Sequence, residues 1–310
     1  MNSNMKNIPK LLPRCLAAAL LISAAGGCAY FNSYYNAKKL YDSGTRSRQG
    51  FPDTLLASGA QATALQQAAD KFAGVAASYP GSRWAALSLY YMGNCFFFTG
   101  QNEKALRKFQ EVWQFYGQGK YAPLARMNSA VLNYKTGDYP AALTDIQFLR
   151  NGSGQQILRR ISFLEAEVAQ VSGDYAQAAI LWQRFLFNHP KSELTVEARF
   201  KYAKVLIALG QHSQAVTELE LLAGKRLPQT TGYQVKMLLA QSYQATGQPE
   251  KALRLYQSLL KKALPGTPQA ALLDLLVCQI QAAAAADSSA VKLYLQLAQK
   301  HPHSLAASVA

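Results

Sequence analysis

Apolar residues recur at three- and four-residue spacing through most of this chain. The clearest stretch runs from Pro80 to Trp113. Its first half carries Ala85, Leu89, Met92, Gly93 and Phe96 on one helical face, and its second half carries Ala105, Phe109 and Val112 on another. Between them, Thr99-Gly100-Gln101-Asn102 is a polar break. Glycine accepts the left-handed backbone of a helix end without a Cβ clash, so the pattern predicts a helical hairpin that turns at Gly100. The same local context returns at Gly137, Gly173, Gly210 and Gly247, at intervals of 36 or 37 residues. Seven positions before each glycine stands a small residue: Gly93, Ala130, Ala166, Ala203 and Ala240. Five positions after stands an alanine: Ala105, Ala142, Ala178, Ala215 and Ala252. Nine positions after stands a large apolar residue: Phe109, Ile146, Trp182, Leu219 and Tyr256. Coincident columns at this period predict a stacked array of helical hairpins.

A sixth copy lacks the glycine but keeps Ala290, Tyr294 and Leu297 in register, with Thr267 as helix N-cap and Pro268 at the first helical position. A half-copy with Ala68, Phe72 and Val75 precedes the first. Tyr79-Pro80-Gly81-Ser82, His189-Pro190-Lys191-Ser192 and His301-Pro302-His303-Ser304 mark hairpin junctions three periods apart, where proline ends one helix and serine is expected to cap the next. Asn151–Gly154 and Gly224–Gly232 are expected points of flexure, because repeat stacks loosen one junction at a time.

A small residue at the eighth position, alanine at the twentieth, a large apolar residue at the twenty-fourth and proline near the thirty-second resemble the tetratricopeptide repeat (TPR). The resemblance covers Ala60 to Pro302. The first copy departs from it with Leu89 where tryptophan is usual, and the second with Asn133 where an aromatic is usual. The long period and the proline-x-serine junctions look like the periplasmic lipoprotein branch, which includes the lipoprotein of the outer-membrane β-barrel assembly machinery. The resemblance implies an all-α solenoid of about six TPR-like hairpins of 36–37 residues with an irregular N-terminal helical cap.

The amino terminus sets the compartment. Met1 to Arg14 is basic, Cys15 to Ala25 is an apolar run shorter than the roughly 20 residues of a membrane span, and Ala25-Gly26-Gly27 precede Cys28. This reads as an export signal, and the cysteine directly after it resembles a bacterial lipoprotein signal. Cys28 would then be acylated and become the first mature residue, with an ordinary secretory signal as the alternative. The expected organisation is therefore a removed signal peptide at 1–27, a membrane-proximal helix and loop at 28–59, and the solenoid at 60–310. Within 28–59, residues up to Tyr41 are expected to be helical and Asp42 to Asp53 to form a loop broken by Gly44, Gly50 and Pro52. Ala29, not aspartate, follows the cysteine, which by resemblance favours an outer-membrane lipoprotein facing the periplasm.

The charge of +15 comes from 32 basic and 17 acidic residues; without Lys6, Lys10 and Arg14 of the signal it is 29 minus 17, or +12. Export removes nucleic acid as a partner and leaves anionic lipid and envelope polymers. Of four cysteines, Cys95 and Cys278 remain in the solenoid about five repeats apart, too far for a disulfide, and read as buried apolar residues.

Candidate chemistry is sparse. There is no phosphate-cradling loop and no nucleophile elbow, and Glu165 and Glu167 point to different faces of one helix. His301 and His303 lack the further ligands of a stable metal site. No enzyme, cofactor or metal is expected.

The resemblance directs attention to a concave surface lined by the first helix of each hairpin. Its positions off the packing columns include Tyr90, Asn94, Phe97, Phe98, Met127, Tyr134, Lys135 and Phe163, which are the candidate partner-groove residues. Two readings stand beside each other: a partner peptide or helix docks there, or the chain's own amino-terminal helix packs there. Phe96, Phe97 and Phe98 cover too wide an arc for all three to face solvent. Tyr30, Phe31, Tyr34 and Tyr35, followed by Lys38 and Lys39, suit either the membrane interface or a capping helix. The function implied is a non-catalytic, membrane-tethered scaffold for envelope proteins or peptide segments, with outer-membrane protein assembly as its setting. A glycan- or peptidoglycan-binding module, or an accessory subunit tethering an envelope enzyme or transporter, is the alternative.

Overall fold

The computed structural model describes residues 32–46, 56–285 and 287–302. Cys28, Tyr30, Phe31 and the proposed signal lie outside them. Every regular element among the described residues is an α-helix: α1 over residues 32–45, α2 Gly59–Ser78, α3 Arg83–Phe98, α4 Asn102–Phe115, α5 Ala122–Thr136, α6 Tyr139–Arg150 and α7 Gln155–Val171. There follow α8 Tyr175–Asn188, α9 Thr195–Ala208, α10 His212–Ala223, α11 Gln229–Ala245, α12 Pro249–Leu260, α13 Pro268–Ala283 and α14 Asp287–Lys300. The expected class, all-α with TPR-like helical hairpins, is the observed one.

The chain forms two compact units, Met1–Ile161 and Ser162–Ala310, whose division falls inside α7. In the first, α2 to α6 pack each against the next, and α3 also touches α5. In the second, α8 to α14 do the same, and α9 also touches α11. One pair of first helices from successive hairpins, α3 with α5 and α9 with α11, is therefore in contact in each unit.

The repeated columns explain both packings. The small residues from Ala130 to Ala240, the five alanines and the five large residues are all 0 or 1% exposed. Burying a side chain the size of leucine or phenylalanine contributes about 1.5–3 kcal/mol, so one large residue per hairpin is a major term. Two of the five large residues carry a polar atom, and each finds a partner in the same place. Trp182 Nε1 donates to Gln170 Oε1 at 3.1 Å, and the Tyr256 hydroxyl donates to Gln244 Oε1 at 2.9 Å. Both glutamines stand three residues before the turn glycine. The copies with Phe109, Ile146 or Leu219 in the column have Phe97, Tyr134 or Ile207 there instead. A buried donor needs an acceptor, and the repeats supply one only where the donor exists.

The turns repeat as closely as the columns. Gly100, Gly137, Gly173, Gly210 and Gly247 have φ of 72–84°, the left-handed region. In every copy the residue after the glycine donates its backbone N–H to the carbonyl five residues back: Gln101 to Phe96, Asp138 to Asn133, Asp174 to Ala169, Gln211 to Leu206 and Gln248 to Tyr243. The glycine N–H bonds the carbonyl three back in each case. This is the Schellman motif, which satisfies carbonyls that the end of a helix would otherwise orphan. Asp138 and Asp174 also cap the following helix, accepting from the N–H of Ala141 and Gln177.

Other expectations meet the structure unevenly. Thr267 caps α13 through the Ala270 N–H, with Pro268 opening the helix, and Ala68, Phe72 and Val75 are buried as the half-copy required. Cys95 and Cys278 are buried free thiols. The expected serine capping needs correction. Ser82 stands at the N-cap of α3, but its hydroxyl donates back to the Tyr79 carbonyl, while Ser192 Oγ accepts from the Leu194 N–H ahead of α9. The loop expected from Asp42 is also corrected, because α1 runs to residue 45. Gly44 does not break it: an added Cβ there would lie 2.6 Å from Leu65 Cγ, so glycine permits α2 to approach closely.

Candidate functional site

Within the first unit, α1 is seated on α2 and α3. Its buried Tyr34 ring lies 5.8 Å from Phe72 and 4.6 Å from Trp84. Two turns on, the Tyr41 ring lies 4.7 Å from Tyr91, and Lys38 Nζ sits 5.2 Å from the centroid of the same ring. Burial pushes the Tyr41 hydroxyl well above the usual phenol value, against the opposing effect of a hydrogen bond with the Asn94 side chain. Asn94 Oδ1 in turn accepts from Asn128 Nδ2 at 2.6 Å, and Asn128 Nδ2 lies 3.4 Å from the Tyr90 hydroxyl. Tyr90 also lies 5.7 Å, centroid to centroid, from Tyr121.

Two of the predicted groove residues are therefore engaged internally. Asn94 is buried in a hydrogen-bond network with α1 and α5, and Tyr90 is half-buried among aromatic rings. Tyr34 belongs to the capping helix, whereas Tyr35, 56% exposed, faces solvent. A helix with two faces serves one residue in each way.

Met127 and Phe163 are corrections. At 2% and 0% exposure they are core residues. The Phe163 ring meets Trp182 edge-on at 4.9 Å and Phe185 at 5.5 Å, in the second unit. The position that carries half-buried Tyr90 in the first copy thus turns into the core in the second and third. Helical spacing puts these residues on one stripe but does not set how far a neighbouring element reaches over it.

At the ends of α3 and α5, Phe97, Phe98 and Tyr134 are half-buried and Lys135 is exposed. The Phe97 and Phe98 rings meet edge-on at 5.4 Å, Lys135 Nζ sits 4.5 Å from the Phe97 centroid, and Tyr134 lies 6.2 Å from Tyr139. The Phe98 carbonyl accepts from the Ala57 N–H at 2.8 Å, which pins the strand of chain ahead of α2 against this corner. The result is an aromatic rim with one cation, partly open to solvent. It offers apolar contact area and a positive charge and holds no arrangement of nucleophile, base and oxyanion donors.

Sequence reasoning did not find a cleft of about 590 Å³ in the same unit, between Trp84, Ala86 and Leu87 of α3, Phe115 of α4 and the loop 116–121. The signal available was Tyr-Gly-Gln-Gly-Lys-Tyr at 116–121, a glycine- and tyrosine-rich junction between two hairpins. Charged clusters elsewhere are structural. Lys201 Nζ lies 2.6 Å from the buried Glu167 carboxylate and 3.8 Å from Glu197. His301 Nε2 lies 2.8 Å from Asp274 Oδ2, with Lys300 at the same oxygen. Among the described residues no three His, Cys, Asp or Glu side chains gather as metal ligands. No described helix is long and apolar enough to cross a membrane.

Known proteins resemble the chain in its repeats. The tetratricopeptide repeat family matches residues 163–229 in one form and residues 87–118 and 234–263 in another. The chain thus carries tetratricopeptide repeats in both units, and no catalytic family is among the matches. Among solved structures it is similar to a tetratricopeptide repeat protein from Parabacteroides merdae, with TM-score 0.51 and 17% identity over 87% of this chain and 93% of that one. It is also similar to pilF of Pseudomonas aeruginosa, with TM-score 0.55 and 13% identity over 77% of this chain and 96% of that one. At these identities the likeness is one of fold. No curated protein sequence matches the chain.

Proposed function

We propose that the protein is a non-catalytic scaffold, tethered to the outer membrane through a lipid on Cys28 and facing the periplasm, where it holds protein partners of an envelope complex. The observation that carries the scaffold reading is the rim of Phe97, Phe98, Tyr134 and Lys135 on tetratricopeptide hairpins. These aromatic side chains are half-buried, Phe97 and Phe98 packing against the core on one side, and they keep an open face while the column residues are fully buried. Tyrosine is enriched at binding hot spots and phenylalanine in the cores of interfaces. The tether rests on the basic, apolar and small-residue segments that end at Cys28. Assembly of outer-membrane proteins is the process we assign, on the resemblance to periplasmic TPR lipoproteins.

Phe98→Ala is the direct test of the rim. Its ring is half-buried, so the expected loss of stability is below the roughly 3–5 kcal/mol of a fully buried phenylalanine, while crosslinks to partner proteins in the envelope disappear. A full core-sized loss of stability would make Phe98 part of the fold and remove it from the interface. For the tether, Cys28→Ala should leave the membrane fraction; retention there would overturn the anchor.

A further inference from the structure

The cleft beside α3 opens at an edge that carries two exposed rings. Phe115, the last residue of α4, is 73% exposed, and Tyr79 at the turn between α2 and α3 is exposed as well. The two turns that form this edge are joined, since the Tyr116 hydroxyl donates to the Pro80 carbonyl. Trp84 forms one wall of the cleft and also packs on Tyr34, which lies in the first turn of α1. The beginning of α1 is therefore at this edge. Cys28 precedes residue 32, the first described residue of α1, by four positions. Four Cα steps span at most about 14 Å.

The cleft's lining holds Lys120 and no aspartate or glutamate, and Glu111, one turn before Phe115 on α4, is paired with Lys108. Tryptophan and tyrosine favour the headgroup layer of a bilayer, exposed phenylalanine favours the acyl boundary below it, and lysine near an anionic leaflet adds electrostatic attraction. A single acyl chain gives only marginal attachment, so a second membrane contact strengthens the anchor.

We propose that this edge is a membrane seat: Phe115 enters the acyl boundary of an anionic bilayer, Tyr79 and Trp84 lie at headgroup level, and Lys120 meets lipid phosphate. The seat rests on the proposed lipid at Cys28, which holds the start of α1 within reach of the surface. It goes beyond the tether by fixing which side of the first unit faces the membrane. The rim at Phe97 and Phe98 lies at the other end of α3 from Arg83 and Trp84, about 20 Å along the helix axis at 1.5 Å per residue, and so stays available for protein.

The test uses the full chain, produced with its lipid and reconstituted into vesicles of phosphatidylethanolamine and phosphatidylglycerol. Phe115→Trp places a fluorophore at the tip, and the wild-type emission is subtracted. The expected result is a loss of the added emission when the acyl chains are brominated, and a smaller loss in the Phe115→Trp, Lys120→Glu double variant. Equal emission in brominated and plain vesicles, with mass spectrometry showing Cys28 acylated, overturns the seat and leaves the anchor standing. An unacylated Cys28 overturns the anchor and the seat with it.

Discussion

Gly93 and Phe109 allow the packing of the first hairpin to be tested with a change of sign. Gly93 lies inside α3, and the Phe109 ring of α4 rests against it. A Cβ built on Gly93 would stand 2.4 Å from Phe109 Cε1 and 2.6 Å from Cδ1. Phe109 is itself fully buried and cannot swing aside into solvent. Gly93→Ala therefore overpacks the contact, at about 1–3 kcal/mol. The same substitution gains about 0.8–1 kcal/mol of helix propensity. Overpacking wins, and the expected net loss is about 1 kcal/mol. Gly74 in α2 is the control, because its added Cβ meets nothing within 4 Å. Gly74→Ala should keep the full propensity gain. With a urea slope of about 2 kcal/mol per molar, the two variants shift the unfolding midpoint by about 0.5 M in opposite directions. The fourth copy shows how to relieve the clash, since Ala203 and Leu219 occupy the same two columns. In a Phe109→Leu background, Gly93→Ala should become neutral or stabilising. Urea denaturation followed by circular dichroism reads all of these. If Gly93→Ala raises the midpoint as much as Gly74→Ala does, the ring moves freely and the packing reasoning is wrong.

Three more predictions follow from buried polar groups. Gln244→Leu should cost about 1–3 kcal/mol by stranding the Tyr256 hydroxyl, and adding Tyr256→Phe should recover most of that loss in the same denaturation assay. Burial raises the Asp145 carboxyl above its usual value, outweighing a hydrogen bond from Ser129 and the charge of Arg126. The folded state then holds a proton that the unfolded state releases near pH 3.9, so the contribution of Asp145 to stability falls as pH rises from about that value. Asp145→Asn should flatten this fall in thermal melts across acid pH; an unchanged slope would assign it to other groups. Burial also pushes the Cys95 thiol well up, so iodoacetamide at about pH 8 should leave it unmodified in the folded protein and label it in urea.

The repeats were legible because each column has one physical job. Ala178 and Trp182 must pack whatever the neighbouring copies do, and Gly173 must adopt a positive φ. Period and residue type reveal such roles directly. The site was less legible, because its residues depend on what covers them. Asn94 reads as a surface polar residue until Tyr41 and Asn128 close over it, and Tyr41 belongs to a helix outside the period. Met127 and Phe163 share a stripe position with Tyr90, and only tertiary contacts decide how deeply each is covered. Gly44 reads as a breaker, but its lack of a side chain serves the approach of Leu65. Gln170 and Gln244 lie off the packing columns, yet each answers a buried donor twelve positions ahead in the sequence. The loop from Tyr116 to Tyr121 gave no periodic signal, and the cleft it helps to form was visible only in three dimensions.

The central claim is that the chain holds other proteins at the envelope through its aromatic rim. Its most direct measurement places a photo-crosslinking residue at Phe98 in the intact cell, followed by mass spectrometry of the adducts. The account predicts defined protein adducts that a Phe97→Ala change weakens. Adducts to lipid or glycan alone would contradict it.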